Sequence, residues 1–410
     1  MPGGVADNRL FFRPHSKGVR VQEPASHSVP QPTATGNRYD RMEWAGAFGD
    51  LGTLIPFVAA YIGVLKLDPF GVLFAFGLCM LACGLHYKTP IPVQPMKAIG
   101  AVAVTQAAQT AVVTPGAVYG AALATGVAWL FLGLSGMAAR VTRLVPPAVV
   151  LGIMLGLGFG FMLEGVKMMQ TDWPIAAVAG VGTLLLMGNR TLPAMFVLLV
   201  FGAAVGAWRQ PALLHELAQV PFGLPSPSFA LSDVGLHELA IGAVLLALPQ
   251  LPLTLGNAVI AVKEENNRLF PQRPVTENGL ATSTGVMNVF SSVVGGVPMC
   301  HGAGGMAGHV AFGARTGGAL VILGVILLVL ALFFSAGVSL LFKLFPLSIL
   351  GVILFLTGAQ LALGSSILPA DKNQRLVALA TAALCMWNVA AGFLLGLALH
   401  VMVARGWVRM

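Results

Sequence analysis

The chain alternates between long apolar runs and short polar clusters from about residue 44 almost to its end. Most runs are roughly 15 to 25 residues long, the length at which an α-helix crosses a bilayer. The first set covers 44–61, 70–86, 93–109, 114–138, 146–169, 174–188 and 192–208. The second set covers 237–262, 278–295, 298–312, 317–342, 346–364, 376–388 and 389–404. This pattern predicts an all-α polytopic membrane protein of about 14 segments.

A polar, proline-rich stretch over 209–236 separates the two sets and is predicted to be an extracellular connection. The halves on either side, 38–208 and 237–410, contain seven segments each. Segment 3 (93–109) and segment 10 (298–312) are both short and interrupted by proline and glycine. Matching interrupted segments in two halves are typical of inverted-repeat transporters, which bind their substrate there. We therefore predict two inverted seven-segment repeats, with half-helices in segments 3 and 10.

Residues 1–37 differ in kind, because they are rich in Pro, Gly, Ser and Arg and contain no long apolar run. Such a composition lacks the apolar core of a signal peptide. This stretch is predicted to be a disordered cytoplasmic tail. A mitochondrial or plastid transit peptide is the alternative interpretation.

Composition agrees with a membrane location. Hydrophobic residues make up 57% of the chain and charged residues 9%, whereas a soluble protein carries about 25% charge. A net charge of +8 could indicate a nucleic-acid partner. Here the basic residues lie in loops, which membrane topology explains, so no nucleic-acid partner is expected. The four cysteines show neither metal-ligand nor disulfide spacing, so no metal or cofactor is predicted.

The distribution of Lys and Arg predicts the orientation. With a cytoplasmic N-terminus, fourteen basic residues fall in inside loops and ends, and four fall outside. The outside four are Lys66, Lys167, Arg209 and Lys343. Both termini are therefore predicted to be cytoplasmic, in a multi-pass protein of the plasma (cell inner) membrane. One further basic residue, Lys97, falls inside a predicted segment.

The two interrupted segments carry the candidate chemistry. TPIPVQPMKAIGAVAV (89–104) and VPMCHGAGGMAG (297–308) each place proline before a run of small residues. Proline suits the first turn of a helix, and two such turns facing one cavity present free N–H groups and positive dipole ends. This arrangement predicts an anion site. The residues expected to line it are Gln94, Lys97, Cys300, His301, Gly302 and Ala303.

Besides Lys97, Asp50 is a charged residue inside a predicted segment, where a charge has a high free-energy cost. An intramembrane carboxylate marks a functional site. We predict that Asp50 faces the cavity and takes part in proton coupling, with Thr53 one turn further on. In segment 8, Gln250, Thr254 and Asn257 offer neutral hydrogen-bonding groups to ligand oxygens.

Each candidate also has a structural explanation. Lys97 could extend its side chain to the membrane interface, and Asp50 could form a structural salt bridge with Lys97. His301 could be a hydrogen-bonded core histidine, and His309 is expected to be structural or interfacial. The glycines of GAGGMAG (302–308) could form a small-residue packing face.

PVQPMKAIGAVAV, LPQLPLTLGNAVIA and GGVPMCHGAGGMAGHVAFGARTGG together resemble the molybdate transporter family, a branch of the sulfate permease superfamily. The resemblance covers roughly residues 44 to 404. By motif it adds Pro95, Met96, Met299 and Gly304 to the substrate-binding set. Arg315 lies past the half-helix, so it is not assigned to the site.

The resemblance also implies an architecture. Segments 1, 3, 8 and 10 would hold the substrate in a core domain, and segments 5–7 and 12–14 would form a gate domain and the contact of a homodimer. Sulfate permeases usually carry a regulatory domain after the last segment. This chain stops at ARGWVRM, which favours the molybdate branch.

The predicted function is secondary active import of molybdate with proton coupling, without enzymatic activity. A sulfate or general oxyanion permease, with sulfate or tungstate as further ligands, is the alternative of the same fold. A nucleobase carrier is less compatible with a compact, cationic site. An anion sensor without transport is the alternative from another class. A protease using Ser135 of GLSG would leave the two-half architecture unexplained.

Overall fold

The computed structural model describes residues 36–408, except for 64, 98, 101–112, 188, 190, 222, 226–228, 365–368 and 370. The predicted tail therefore lies outside the described residues, apart from its last two positions. Within the described part, five helices are long and apolar enough to cross a membrane: Arg41–Gly63, Pro69–Tyr87, Pro115–Leu134, Pro147–Met169 and Gly318–Leu344.

Two pairs of helices also reach that length when each is counted across its bend. The bend is 100° between Ala194–Arg209 and Pro211–Ala218, and 49° between Leu236–Ala247 and Gln250–Leu269. These apolar helices confirm a helical, multi-pass membrane protein.

The elements of the first half follow the predicted runs closely. They are α1 (Arg41–Ala47), α2 (Leu51–Gly63), α3 (Pro69–Tyr87), β1 (Gln94–Pro95), α4 (Pro115–Leu134), α5 (Met137–Thr142), α6 (Pro147–Met169), α7 (Trp173–Leu186) and α8 (Ala194–Arg209). The connection contains α9 (Pro211–Ala218) and a 3-10 turn (Ala230–Asp233).

The second half begins with one long helical stretch. It comprises α10 (Leu236–Ile241), α11 (Leu248–Leu253) and α12 (Val262–Leu269), joined by π-helical turns over Gly242–Ala247 and Thr254–Ala261. The remaining elements are α13 (Glu277–Val294), β2 (Met299–Cys300), α14 (Ala303–Ala311), α15 (Gly318–Phe334), α16 (Val338–Leu344), α17 (Leu347–Gly364), α18 (Lys372–Trp387) and α19 (Val389–Ala404).

Local sequence explains where the helices begin and end. The Asp40 carboxylate caps α1 by accepting hydrogen bonds from the N–H groups of Met42 and Glu43, at 3.0 and 3.2 Å. Thr114 caps α4 in the same way, directly before a proline at the first helical position. At the other end of a helix, Gly295 follows α13 with a φ of 79°, a conformation that glycine adopts without strain.

Glycines allow the helices of the two halves to pack closely. A Cβ added to Gly158 of α6 would lie 2.8 Å from the carbonyl oxygen of Gly358 in α17. The same crowding occurs between Gly77 of α3 and Gly324 of α15, at 2.9 Å. Because lipid gives no hydrophobic drive between helices, such small-residue contacts provide much of the association.

The two interrupted segments meet at a short antiparallel ladder. Gln94 of β1 lies opposite Cys300 of β2, and Pro95 lies opposite Met299. A further main-chain bond runs from the N–H group of Met96 to the carbonyl of Pro298, at 2.8 Å. Helical backbone follows each strand, so the ladder brings two helix starts together.

The side chain of Asn288 in α13 holds one strand of this ladder in place. Its Nδ2 donates to the carbonyl of Met299 at 2.5 Å, and its Oδ1 accepts from the Met299 N–H group at 2.9 Å. Asn288 therefore satisfies both backbone groups of a strand residue that has a partner strand on only one side.

Candidate functional site

The helix after β1 is described only at its start. Lys97, Ile99 and Gly100 have helical backbone, and the N–H group of Gly100 donates to the carbonyl of Met96 at 2.9 Å. The predicted half-helix of segment 3 falls mostly on 101–112, outside the described residues. The helix after β2, α14, is nine residues long.

Gln94 connects the first strand to Asp50, between α1 and α2. Its amide Nε2 donates to Asp50 Oδ1 at 2.6 Å and to Thr53 Oγ1 at 2.7 Å. The Thr53 hydroxyl in turn donates to the same carboxylate. All three side chains are buried, with Asp50 and Gln94 each only 1% exposed.

This cluster offers acceptors rather than donors to a further ligand. Asp50 Oδ2 and Gln94 Oε1 are buried and have no hydrogen-bond partner among the described residues. The Gln94 amide hydrogens, expected from the sequence to face the anion, are directed at Asp50 and Thr53. Two free oxygens in a buried site suit a proton or a small cation, not an anion.

Lys97 supplies the donor part of the site. Its ammonium nitrogen is buried, lies 3.9 Å from the centre of the Phe161 ring and has no hydrogen-bond partner within the described chain. No ion pair within 4.0 Å links Lys97 to Asp50 in that same part. The Lys97 ammonium therefore does not extend to the protein surface, and within the described residues it forms no ion pair with Asp50.

The start of α14 faces the same region. A Cβ on Gly304 would collide with the Phe161 ring, and one on Gly305 would lie 2.7 Å from both Asp50 Oδ2 and Gln94 Nε2. A Cβ on Gly302 would collide with Gln94 Oε1. These glycines are therefore packing positions as well as candidate site residues, because only a bare backbone fits there.

Phe161 of α6 lies between the two helix starts. Its ring contacts the Lys97 ammonium on one side and Gly304 on the other. Phe161 is not predictable as a site residue from the sequence, since an aromatic residue in an apolar helix looks like ordinary packing.

The His301 ring lies in a hydrogen-bonded chain. Its Nδ1 bonds with the carbonyl of Pro92 at 2.9 Å, and its Nε2 bonds with the Ser283 hydroxyl at 2.7 Å. The Ser283 hydroxyl is 2.6 Å from the Tyr87 hydroxyl. Since a carbonyl only accepts, Nδ1 carries a proton. Both ring nitrogens are thus occupied, and His301 joins the two interrupted segments to α13.

The other predicted residues lie around the two helix starts. Gln250 Nε2 donates to Thr254 Oγ1 at 3.0 Å, and Gln250 Oε1 accepts from the N–H group of Ile99 at 3.4 Å. Asn257 Oδ1 accepts from the N–H group of Ala303 at 3.3 Å. The remaining candidates, Pro95, Met96, Met299 and Cys300, form the ladder and its immediate continuation.

His309 is a buried neighbour of the acceptor cluster. It follows Gly305 by four residues, so both lie on the α14 face that contacts Asp50. Nδ1 of His309 bonds with the carbonyl of Gly46 at 2.7 Å, and Nε2 has no partner among the described residues.

Glu43 and Arg315 hold the far end of α14. The fully buried Glu43 carboxylate accepts from the N–H groups of Arg315, Thr316 and Ala319, at 2.9, 3.0 and 3.2 Å. The Arg315 guanidinium donates to the last carbonyls of the α14 region, those of Val310 and Ala314. A cation at a helix C-terminus opposes the dipole. The FGARTGG motif thus anchors the short helix.

The fold is one that solved membrane transporters use. The transmembrane domain of the cyanobacterial bicarbonate transporter BicA matches with a TM-score of 0.54 and 16% identity, over 87% of this chain and 96% of that one. The murine anion transporter Slc26a9 in its inward-facing state matches with a TM-score of 0.58 and 14% identity, over 90% and 69%. At these identities the likeness shows the fold alone.

Sequence comparison identifies the family. The family described as "Molybdate transporter of MFS superfamily" matches residues 42–161 and 242–361, so the chain belongs to this family and the predicted resemblance is confirmed. Solved structures with the same fold include BicA and Slc26a9, which agrees with the predicted sulfate permease fold.

Named relatives align over most of their length. Molybdate transporter 2 of Arabidopsis thaliana is 30% identical over 88% of this chain and 87% of its own. Molybdate transporter 1 of Chlamydomonas reinhardtii is 28% identical over 87% and 90%. These relatives are named as transporters, which confirms the expectation that the protein is not an enzyme.

Proposed function

We propose that this protein is a secondary active transporter that imports molybdate into the cell. The observation that carries the proposal is the buried Lys97 ammonium, which has no hydrogen-bond partner among the described residues and lies across the Phe161 ring from the start of α14. The names of the relatives supply the substrate: the chain aligns with molybdate transporters over most of its length.

The anion is bound by donors from both interrupted segments. Lys97 contributes a full positive charge, and the N–H groups of Gly304 and Gly305 belong to the first turn of α14, which has no intrahelical acceptor. A tetrahedral dianion placed between them meets charge, helix dipole and backbone donors together. The bare glycines let its oxygens approach the backbone closely.

The centre of the Phe161 ring lies 3.9 Å from the Lys97 ammonium. A buried cation–π contact is worth about 2 kcal/mol, less than a buried charge pair with a dianion. A dianion therefore outcompetes the ring for the Lys97 ammonium. Phe161 belongs to segment 5 of the predicted gate domain, so this ring is where that domain meets the site.

The proposal includes the predicted architecture. We infer fourteen segments in two inverted repeats, with core and gate domains, half-helices in segments 3 and 10, both termini cytoplasmic, a homodimer and a location in the plasma membrane. The family match supports the repeat, because its two stretches, 42–161 and 242–361, contain corresponding segments of each half.

Proton coupling is assigned to Asp50 and His309. Entry of a dianion against an inward-negative potential of 100 mV costs about 4.6 kcal/mol, so a cation must accompany it. Asp50 Oδ2 is a buried acceptor, and His309 Nε2 is a second unengaged position on the adjacent α14 face. Charged residues on and beside the elements packed against α14 are Arg41, Glu43, Lys97, Glu164, Lys167, Lys263, Glu264, Glu265 and Arg268.

The test is molybdate uptake into proteoliposomes of the purified chain, with an inward proton gradient, an inward sodium gradient or neither. We expect stimulation by the proton gradient and persistence of uptake in excess sulfate. Uptake abolished by sulfate identifies a general oxyanion permease. Stimulation by sodium alone contradicts the proton assignment. Tight molybdate binding without flux favours an anion sensor.

Asp50→Asn separates coupling from binding in the same assay. The substitution keeps the size of the side chain and removes its charge, so molybdate affinity should stay within about threefold while stimulation by the proton gradient is lost. Glu164→Asn removes an exposed carboxylate paired with Lys167 at 3.1 Å and serves as the control. A wild-type pH profile in Asp50→Asn would rule out the role of Asp50.

A further inference from the structure

A second cavity lies apart from the half-helix site, which is the region around Lys97 and the first turn of α14. It is a cavity of about 790 Å³ lined by residues of α2, α8, α16 and α17 and by the loops beside them. None of the predicted substrate-binding residues lines it. Three of its charged residues, Lys66, Arg209 and Lys343, are three of the four basic residues that the sequence predicts to lie outside the cell.

The charges around this outer cavity do not balance. Asp172 is the acidic residue of its lining, and it forms an ion pair with Arg209. Lys66 and Lys343 are exposed and take part in no ion pair within 4.0 Å in the described part of the chain. Three cations against one carboxylate leave an excess of two positive charges.

Ordinary helix termination explains only part of this pattern. Arg209 and Lys343 lie in the last turns of α8 and α16, where a cation is favoured whatever its function. Lys66 lies outside any helix, in a left-handed conformation with a φ of 58°. A long side chain there carries a strain that glycine or asparagine would avoid.

The surroundings strengthen the effect of the charge. The lining is otherwise mostly neutral and largely apolar, with side chains such as Ile55, Phe342 and Phe345. A cleft with low-dielectric walls and one sign of charge concentrates the electric field and raises the local concentration of the opposite ion.

We propose that this cavity is an outer collecting site for oxyanions, in which Lys66, Lys343 and the Arg209–Asp172 pair attract a hydrated dianion before it enters the half-helix site. The proposal rests on the anion transport proposed above. It assigns the outer residues to capture from dilute solution, whereas the residues around Lys97 bind the anion without its water.

The local potential can be measured without any transport. Gln210 lines the cavity and is exposed, so Gln210→Cys offers a single reactive thiol; the four native cysteines are buried. The rate of its modification by anionic and cationic methanethiosulfonate reagents is measured on the full chain in detergent at low salt. Gln219→Cys, exposed and outside the cavity lining, is the matched control.

We expect the anionic reagent to be favoured at Gln210→Cys over Gln219→Cys by on the order of three- to tenfold. Lys66→Gln with Lys343→Gln should remove that preference. Asp172→Asn should increase the preference for the anionic reagent, because it removes the one carboxylate of the lining. Asparagine retains the helix cap that Asp172 provides to Ile175, so the local structure is kept. Equal rates at the two cysteines would overturn the proposal.

Uptake then tests the role of the potential. The double lysine variant should raise the KM for molybdate by on the order of threefold or more, with an unchanged maximal rate and a flatter salt dependence. Lys167→Gln, on the same predicted side but outside the lining, should leave KM unchanged. An unchanged KM in the double variant, or an equal rise in Lys167→Gln, contradicts a collecting role.

The two proposals fail separately. Suppose that the wild-type protein shows the anionic preference but transports only another oxyanion. This result contradicts molybdate transport. It supports the outer site if the KM for that other ion rises in the double lysine variant.

Discussion

The half-helix site and the outer cavity handle charge in opposite ways. The region around Lys97 presents one buried ammonium, beside an aromatic ring and the glycine backbone at the start of α14. The outer cavity presents three exposed cations and is wide enough for a hydrated ion. The first arrangement can distinguish ions by size and shape, because its contacts are close. The second can distinguish them only by charge.

The roles proposed for the two regions account for this difference. Stripping water from a dianion is costly, so close contacts are needed where the ion is dehydrated and long-range attraction is sufficient where it is not. Substitutions in the half-helix site should therefore alter affinity strongly and salt dependence little. Substitutions in the outer cavity should alter salt dependence strongly and affinity little.

Lys97→Met gives the largest expected effect. Methionine fills a similar volume but leaves the dianion without its buried counter-charge, so we expect the Kd for molybdate to rise on the order of 100-fold or more. Calorimetric titration of the purified protein measures the change, and the Lys66→Gln, Lys343→Gln variant serves as the comparison. A smaller effect for Lys97→Met than for that variant would reverse the assignment of the two regions.

Gly304→Ala should have the next largest effect. The added methyl group collides with Phe161 and obstructs the approach of an oxygen to the backbone, so uptake should fall on the order of tenfold. Alanine suits helical backbone, so the cost to folding comes from the Phe161 ring, which must move aside. Phe161→Leu in the same chain should restore part of the uptake by removing the collision. No recovery would indicate that Gly304 acts independently of Phe161.

Glu43→Gln should have the smallest effect, and this effect is on stability. Its comparison is Glu164→Gln, which changes an exposed carboxylate instead of a buried one. The uncharged amide weakens the three bonds to the backbone after α14, so we expect a loss of about 1–3 kcal/mol of stability, seen as a lower Tm. Glu164→Gln removes one member of an exposed pair and should leave Tm unchanged. Equal shifts in the two variants would contradict an anchoring role for Glu43.

Polar residues inside apolar runs are conspicuous in a sequence, and Asp50, Gln94 and Lys97 stand out in this way. In the structure the Gln94 amide contacts the Asp50 carboxylate. The role of these residues in binding stays a prediction. Helix limits were also predictable, since caps and prolines mark them. The prediction that the two interrupted segments lie close together used only their matching positions in the two halves.

What the sequence could not provide is the direction of each side chain. His301 and Gln94 look like ligands, yet their hydrogen bonds are directed at Pro92, Ser283 and Asp50. Glu43 stands among charged residues near the start of the first segment, where a solvated position is the natural expectation. Such roles depend on contacts between segments far apart in the chain, and no local pattern encodes them.

The short ladder between Gln94–Pro95 and Met299–Cys300 has a consequence for the energetics of the transport cycle. Main-chain bonds join the two walls of the site, so we expect the walls to move as one piece. A site that keeps its shape binds its ion equally well whichever side of the membrane it faces, and such a ligand does not shift the balance between the two orientations. The direction of net movement then depends on the concentration gradients of the anion and of its accompanying cation and on the membrane voltage.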